Sequence, residues 1–299
     1  SEIVFRKFLN AWKFYNAKVL IMGGDITGKM IVPIVERPNG VFTVSLAGIN
    51  KILRNEKEIQ EMEQKIRFAG YYPYRTTEAE LEEISKSKEK LDKLFDQLMV
   101  ETLDRWFQLA EQHLKGTGVK CYIMPGNDDR FVIDPIFEKY DQIINPEGKV
   151  VEIDKYHEMI STGYTNMTPW KCPRDVPEDV LMRKIDDMVS KVKDIKNCLF
   201  NFHAPPYDSG LDYAMELDEN LRPKPQRYVP VGSKAVRRAI EKYQPLLGLH
   251  GHVHESRGVQ KIGRTICLNP GSEYSEGILR GFIVDLEKDR VKRYIATSG

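Results

Sequence analysis

Apolar residues along the chain follow two patterns: short runs that end in glycine or proline, and longer stretches repeating every three or four positions. Residues 18–22, 119–124, 197–202 and 246–249 are short apolar runs, and each predicts a buried strand. Residues 40–48 predict a strand or hairpin arm, 143–144, 149–153 and 159–164 further strands, and 262–268, 281–285 and 290–295 closing strands. Residues 1–15 place Ile3, Val4, Phe5, Phe8, Leu9, Trp12 and Phe14 on a broad apolar face, which predicts an amphipathic helix. Two more helices are predicted over residues 177–193 and 232–243, the second opened by Ser233 as N-cap. Strands interleaved with helices, without an internal repeat, predict an α/β fold in a single domain over residues 1–299.

One region departs from this alternation. Ile52, Ile59, Met62, Ile66 and Ala69 keep a helical spacing until Gly70-Tyr71-Tyr72-Pro73-Tyr74 interrupts it. Leu81, Ile84, Leu91, Phe95, Leu98, Trp106 and Leu109 then continue at heptad-like positions, after a capping-box pair Thr77 and Glu80. A helix over 78–115 would be about 55 Å long at 1.5 Å per residue. The expectation for residues 50–115 is therefore an inserted antiparallel helical hairpin with tyrosines at its tip. It would serve as simple packing, as a lid, or as a homodimerisation arm.

Charge and composition narrow the function classes. Lys plus Arg (45) nearly equals Asp plus Glu (44), so nothing in the balance calls for nucleic acid. No apolar run approaches the roughly 20 residues of a membrane span, and no membrane partner is expected. The four cysteines are scattered without a C-x-x-C pair, which suits reduced thiols and a cytoplasmic location.

The predicted strands end in residues of a particular kind. Asp25 follows Gly23-Gly24, Asn127 follows Pro125-Gly126, and His203 precedes Ala204-Pro205-Pro206. His250, His252 and His254 fall within five residues. In α/β sheets ligands bind at the carboxyl ends of strands. A carboxylate, an amide oxygen and neutral imidazoles there make an N/O donor set for divalent cations. His250 alternates away from His252 in a strand geometry and, with His113 and His157, reads as structural. Lys261 and Arg264 read as residues of a solvated hairpin.

The blocks GGDITG (23–28), PGNDD (125–129), NFHAPP (201–206) and GLHGHVH (248–254), in this order, resemble the calcineurin-like metallophosphoesterase family. The segment LNPGS (268–272) resembles its prokaryotic phosphodiesterase-like branch. The resemblance covers about two thirds of the chain and leaves out residues 50–114. It implies a four-layer α/β/β/α sandwich around two divalent ions (Mn, Fe, Zn or Ni), with a metal-bound hydroxide attacking phosphorus. Asp25 would bridge the ions, Asn127, His203 and His252 would hold one, and His254 would belong to the other. The substrate would be a small phosphorylated molecule, a diester in preference to a monoester.

Two departures qualify that expectation. The D-x-H block that opens the family pattern is missing, and an upstream segment trimmed from the chain would account for it. Where many members have His after the Asn, Asp128 stands as the catalytic candidate. A carboxylate beside two cations favours its charged form and is a poor proton donor. The rival reading is a metallophosphoesterase-like scaffold with weak or no catalysis, acting through protein contacts of the 50–115 segment.

Overall fold

The computed structural model describes all of residues 1–299. Its α-helices are α1 (Glu2–Tyr15), α2 (Glu56–Phe68), α3 (Glu78–Ser85), α4 (Lys88–Leu114), α5 (Glu178–Val189) and α6 (Lys234–Tyr243). The fold is mixed α/β with two largely parallel sheets at its centre. The smaller sheet orders Val19–Gly23, Lys120–Met124 and Ile143–Ile144, all parallel. The larger orders Gly258–Ile262, Thr265–Asn269, Leu247–Leu249, Leu199–Phe202, Glu158–Thr162 and Val150–Glu152. Its interior pairs are parallel and its two outermost pairs antiparallel.

Alternation along each strand divides the core. Leu20, Cys121 and Ile123 pack with Phe5 and Leu9 of α1 and with Leu103, Phe107 and Ala110 of α4. Their neighbours Val19, Ile21 and Tyr122 face the other way, into a cluster shared with Met159, Leu199, Leu247 and Leu268 of the larger sheet. On the far face of that sheet, Phe200 and Phe202 pack against Leu181 and Ile185 of α5 and Val236 and Ile240 of α6. Each phenylalanine buried in this way stabilises the fold by roughly 1.5–3 kcal/mol. An antiparallel hairpin, Arg280–Glu287 with Arg290–Ser298, adds Phe282, Val284 and Leu286 to the edge of the shared cluster.

A second, four-stranded sheet orders Ile49–Leu53, Phe42–Leu46, Ile31–Glu36 and Tyr72–Thr77. Ala47 and Gly48, at φ of 51° and 77°, form the two-residue turn between its first two antiparallel arms. Ile59, Met62 and Ile66 of α2 cover it, closing a core with Val32, Ile34 and Val44. Asn55 caps α2 by accepting from the Glu58 backbone N–H at 2.9 Å, and the Glu58 carboxylate accepts in turn from the Arg54 N–H at 2.8 Å. This is a variant of the capping box in which the return bond reaches the residue before the cap.

Residues 50–115 therefore depart from the expected antiparallel helical hairpin. The tyrosine-rich interruption is not a tip: Tyr72–Thr77 is a strand, parallel to Ile31–Glu36, with Tyr72 and Thr76 buried. Pro73 fits because this strand lies at the sheet edge. The predicted long helix is divided at Ser87, whose hydroxyl accepts from the Lys90 N–H and opens α4. The apolar stripe of α2 goes to the four-stranded sheet, whereas that of α4 goes to α1 and the smaller parallel sheet. A three-and-four spacing shows that a helix buries one face, but it does not name the partner. Residues 213–230, which carried no predicted element, form the hairpin Tyr213–Leu217 with Pro223–Pro230. No helix is long and apolar enough to cross a membrane, and all four cysteines are unpaired.

Candidate metal centre

Parallel pairing brings the functional loops to one edge. Gly23 lies in register with Met124, so the loops that carry Asp25 and Asn127 leave the smaller sheet side by side. Leu199–Phe202 and Leu247–Leu249 are likewise parallel neighbours, and they deliver His203 and His252 from the larger sheet. The two edges are joined where His203 Nδ1 donates to the Gly23 carbonyl at 2.6 Å. Glycine is required at this junction. A Cβ on Gly24, whose φ is +108°, would lie 2.6 Å from His203 Nδ1, and one on Gly126 would lie 2.3 Å from the Asp25 backbone nitrogen.

Asp129, fully buried, fastens the two loops together. It accepts from the backbone N–H of Ile26 (3.0 Å), Thr27 (2.9 Å) and Gly126 (2.6 Å), and from the Thr27 hydroxyl (2.6 Å). Burial and the charge of Asp25 push its carboxyl above the usual range. Behind it, buried Arg174 donates to the Asp129 carbonyl at 3.1 Å and to Asp134 at 2.5 Å, and its guanidinium lies over the Phe131 ring. Asn269, from the LNPGS segment, donates to the carbonyls of Val253 and Leu211 and so pins the histidine loop.

Asp25, His203 and His252 converge, with ligand-type atoms all within 4.8 Å of one another. Asp25 and His252 both hold left-handed backbones, at φ of 53° and 62°. Such conformations cost about 1–3 kcal/mol each and persist where surrounding contacts enforce them. With Nδ1–H donating to the Gly23 carbonyl, Nε2 is the His203 ring nitrogen turned toward Asp25, and it can offer a lone pair to a cation when unprotonated. That atom is buried, lacks a hydrogen-bond partner, and lies 3.2 Å from Asp25 Oδ2. Asn127 repeats the pattern. Its amide nitrogen donates to Asp175 at 2.8 Å, and its buried Oδ1 has no partner. An imidazole and an amide oxygen oriented by second partners, on loops that flank the Asp25 carboxylate, fit a divalent cation. These residues form a candidate metal site of N/O character.

Local fields suit that chemistry. Burial favours a protonated Asp25, but His203, His252 and Lys29 outweigh it and hold the carboxyl well below the usual range. Burial would lower His203, but the charge of Asp25 3.2 Å away raises it overall, so a proton on Nε2 competes with a cation for that position. His252 is pushed down to about 4 by burial, then by His203, which leaves a neutral imidazole at neutral pH. Cys172 is raised to about 11, chiefly by burial, so a protonated thiol and not a nucleophile sits beside the site.

The remaining sequence candidates are placed as follows. His254 lies outside the three-residue group, its ring edge-on to Tyr274 at 6.1 Å. Asp128 donates its backbone N–H to Asp25 Oδ1 at 3.2 Å, while its carboxylate pairs with Lys29 at 2.7 Å. His250 turns inward, its Nδ1 3.0 Å from the carbonyls of Phe202 and Ala204. His157 is buried against Asp154, His113 bonds Asn10, and Arg264 bonds the carbonyls of Lys196 and Gln244. Lys29 and Asp175 escaped the sequence reading. Asp175 sits in an ordinary loop sequence, yet it orients Asn127 and accepts from Thr168 and Cys172.

No protein-family model matches the sequence. A curated protein of Methanocaldococcus jannaschii, the uncharacterized protein MJ1162, is 32% identical over 195 residues, which is 64% of this chain and 77% of that protein. A solved crystal structure matches 90% of this chain and 85% of its own with a TM-score of 0.53 and 18% identity, a likeness of fold alone. The crystal structure of TT1561 of Thermus thermophilus gives 0.41 at 17% identity, over 59% of this chain and 73% of its own.

Proposed function

This chain belongs to the family of the uncharacterized M. jannaschii protein MJ1162, and we propose that it is a metal-dependent phosphoesterase. The observation that carries the reading is the convergence of Asp25, His203 and His252, with the buried Oδ1 of Asn127 left without a hydrogen-bond partner in the adjoining loop. Motif order supports it: all four blocks that resemble calcineurin-like metallophosphoesterases end at one edge of two facing sheets. On this reading the helix-flanked sheets are the four-layer sandwich of that family.

Asp25 would bridge two cations, Asn127, His203 and His252 would complete the shell of one, and His254 would serve the other. When bound, the cations would lower the pKa of water and neutralise phosphoryl oxygens. The chain's own residues set the rest. The Gly23 carbonyl fixes the tautomer of His203, Asp175 fixes the amide of Asn127, and burial keeps His252 neutral. The Asp128 carboxylate pairs with Lys29, and a site with a carboxylate where a leaving-group acid would stand favours diesters with good leaving groups over alkyl monoesters.

The scaffold alternative would act through contacts of residues 50–115, a segment whose apolar faces are used in two cores of the chain. Elemental analysis together with hydrolysis of bis(p-nitrophenyl) phosphate decides between the readings. About one to two divalent ions per chain, with hydrolysis lost on chelation and regained on metal return, is the expected result. Folded protein that takes up no Mn, Fe, Zn or Ni and shows no hydrolysis would leave the scaffold.

A further inference from the structure

Resting on the phosphoesterase reading, we infer that Lys29 is the substrate-phosphate contact of this site and that Asp128 positions it. Lys29 Nζ lies 2.7 Å from Asp128 Oδ2, and the Lys29 side chain is 49% exposed, so a solute can reach it. Its charge acts on Asp25, and also on His254 and Tyr274. Asp128, whose carboxylate holds the ammonium, donates its backbone N–H to Asp25 Oδ1 at 3.2 Å, which puts Lys29 one residue away from the candidate centre. Burial opposes its charge, but Asp25, then the hydrogen bond and charge of Asp128, raise its pKa.

The backbone leading to Lys29 is fixed. Ile26 and Thr27 donate to Asp129, and the Gly28 N–H donates to the Tyr72 hydroxyl at 2.6 Å. The side chain is thus aimed by three residues of bound loop and by a carboxylate at its end. An incoming phosphoester is an anion that would otherwise meet the carboxylates of Asp25 and Asp128. Lys29 cancels the charge of Asp128 and offers two further N–H donors, because an ammonium carries three. A purely structural ion pair at a half-exposed site would add little to stability.

The test uses metal-loaded protein and inorganic phosphate as the probe, titrated calorimetrically, with diester kinetics in parallel. Lys29→Met is expected to keep wild-type metal content and melting temperature, to weaken phosphate binding about tenfold or more, and to raise KM. Lys29→Arg is expected to recover most of that affinity, and Asp128→Asn to show a smaller loss. Phosphate affinity within about twofold of wild type in Lys29→Met, at unchanged metal content, would overturn the inference. Wild-type protein that binds no metal would instead sink the phosphoesterase reading. Phosphate titration of that metal-free protein and its Lys29→Met variant would still decide whether Lys29 holds the anion.

Discussion

Around Asp25 the chain leaves buried lone pairs without partners, whereas across residues 31–77 every buried side-chain polar atom is bonded. The four-stranded sheet and α2 form a self-sufficient unit. Arg75 is held between Glu56 and Glu63, Thr76 donates to Glu80, and Asn55 and Glu58 cap the helix. Its left-handed non-glycine residue, Ala47, sits in a hairpin turn that demands it. The strand-end loops carry comparable strain at Asp25 and at His252, the latter in a three-residue turn closed by the Val253 N–H on the Gly251 carbonyl at 2.6 Å, alongside the unbonded Oδ1 of Asn127. Buried polar groups are normally hydrogen-bonded, so lone pairs left open beside a strained carboxylate mark a place shaped for a ligand. Satisfied groups mark a place shaped for the fold.

Four experiments press on that contrast. Asp25→Asn should reduce metal-dependent hydrolysis by at least about 10²-fold, the scale on which even outer partners of metal ligands act. Near-normal turnover in that variant would end the mechanism. Ile34→Ala, at a fully buried position of the four-stranded unit, should cost about 2–5 kcal/mol in urea unfolding while leaving metal content per folded chain unchanged. Coupled loss of metal from the folded variant would show that the two regions are one cooperative site.

The third experiment varies pH on chelated protein. Buried His250, pushed down to about 4 chiefly by burial, titrates near its ordinary 6.5 when unfolded. Between those values the unfolded chain binds the extra proton, so stability is full above pH 6.5 and falls by about 3 kcal/mol as pH drops to 4. His252 adds a contribution of the same sign. His250→Asn keeps a donor for the Phe202 and Ala204 carbonyls and should remove roughly half of this slope. An unchanged slope would place the titration elsewhere. The smallest effect belongs to the cap: Asn55→Ala should lower stability by about 1 kcal/mol, read as a small shift of the melting midpoint, with no change in metal uptake.

Much of the centre was legible because its elements are short and marked at both ends. The four apolar runs became parallel strands within a residue or two of their expected limits, and Ser233 caps α6 as expected. Asp25, His203 and His252 could be singled out because each follows such a run beside glycine or proline. Asp175 and Lys29 could not, because nothing adjacent to either distinguishes it from a loop acid or a surface lysine.

Local patterning alone determined the four strands that lead to the candidate centre and the helices α1, α5 and α6, together with the donor-type residues that stand at those strand ends. Propensity, alternation and turn chemistry act over a few residues. Only the tertiary structure decided that Tyr72–Thr77 pairs with Ile31–Glu36, that α2 and α4 serve different cores, and that Asp175 and Lys29 flank the cluster. Those contacts join residues far apart in sequence. Their selection depends on how whole faces pack and on which lone pairs remain after every backbone donor has found its acceptor.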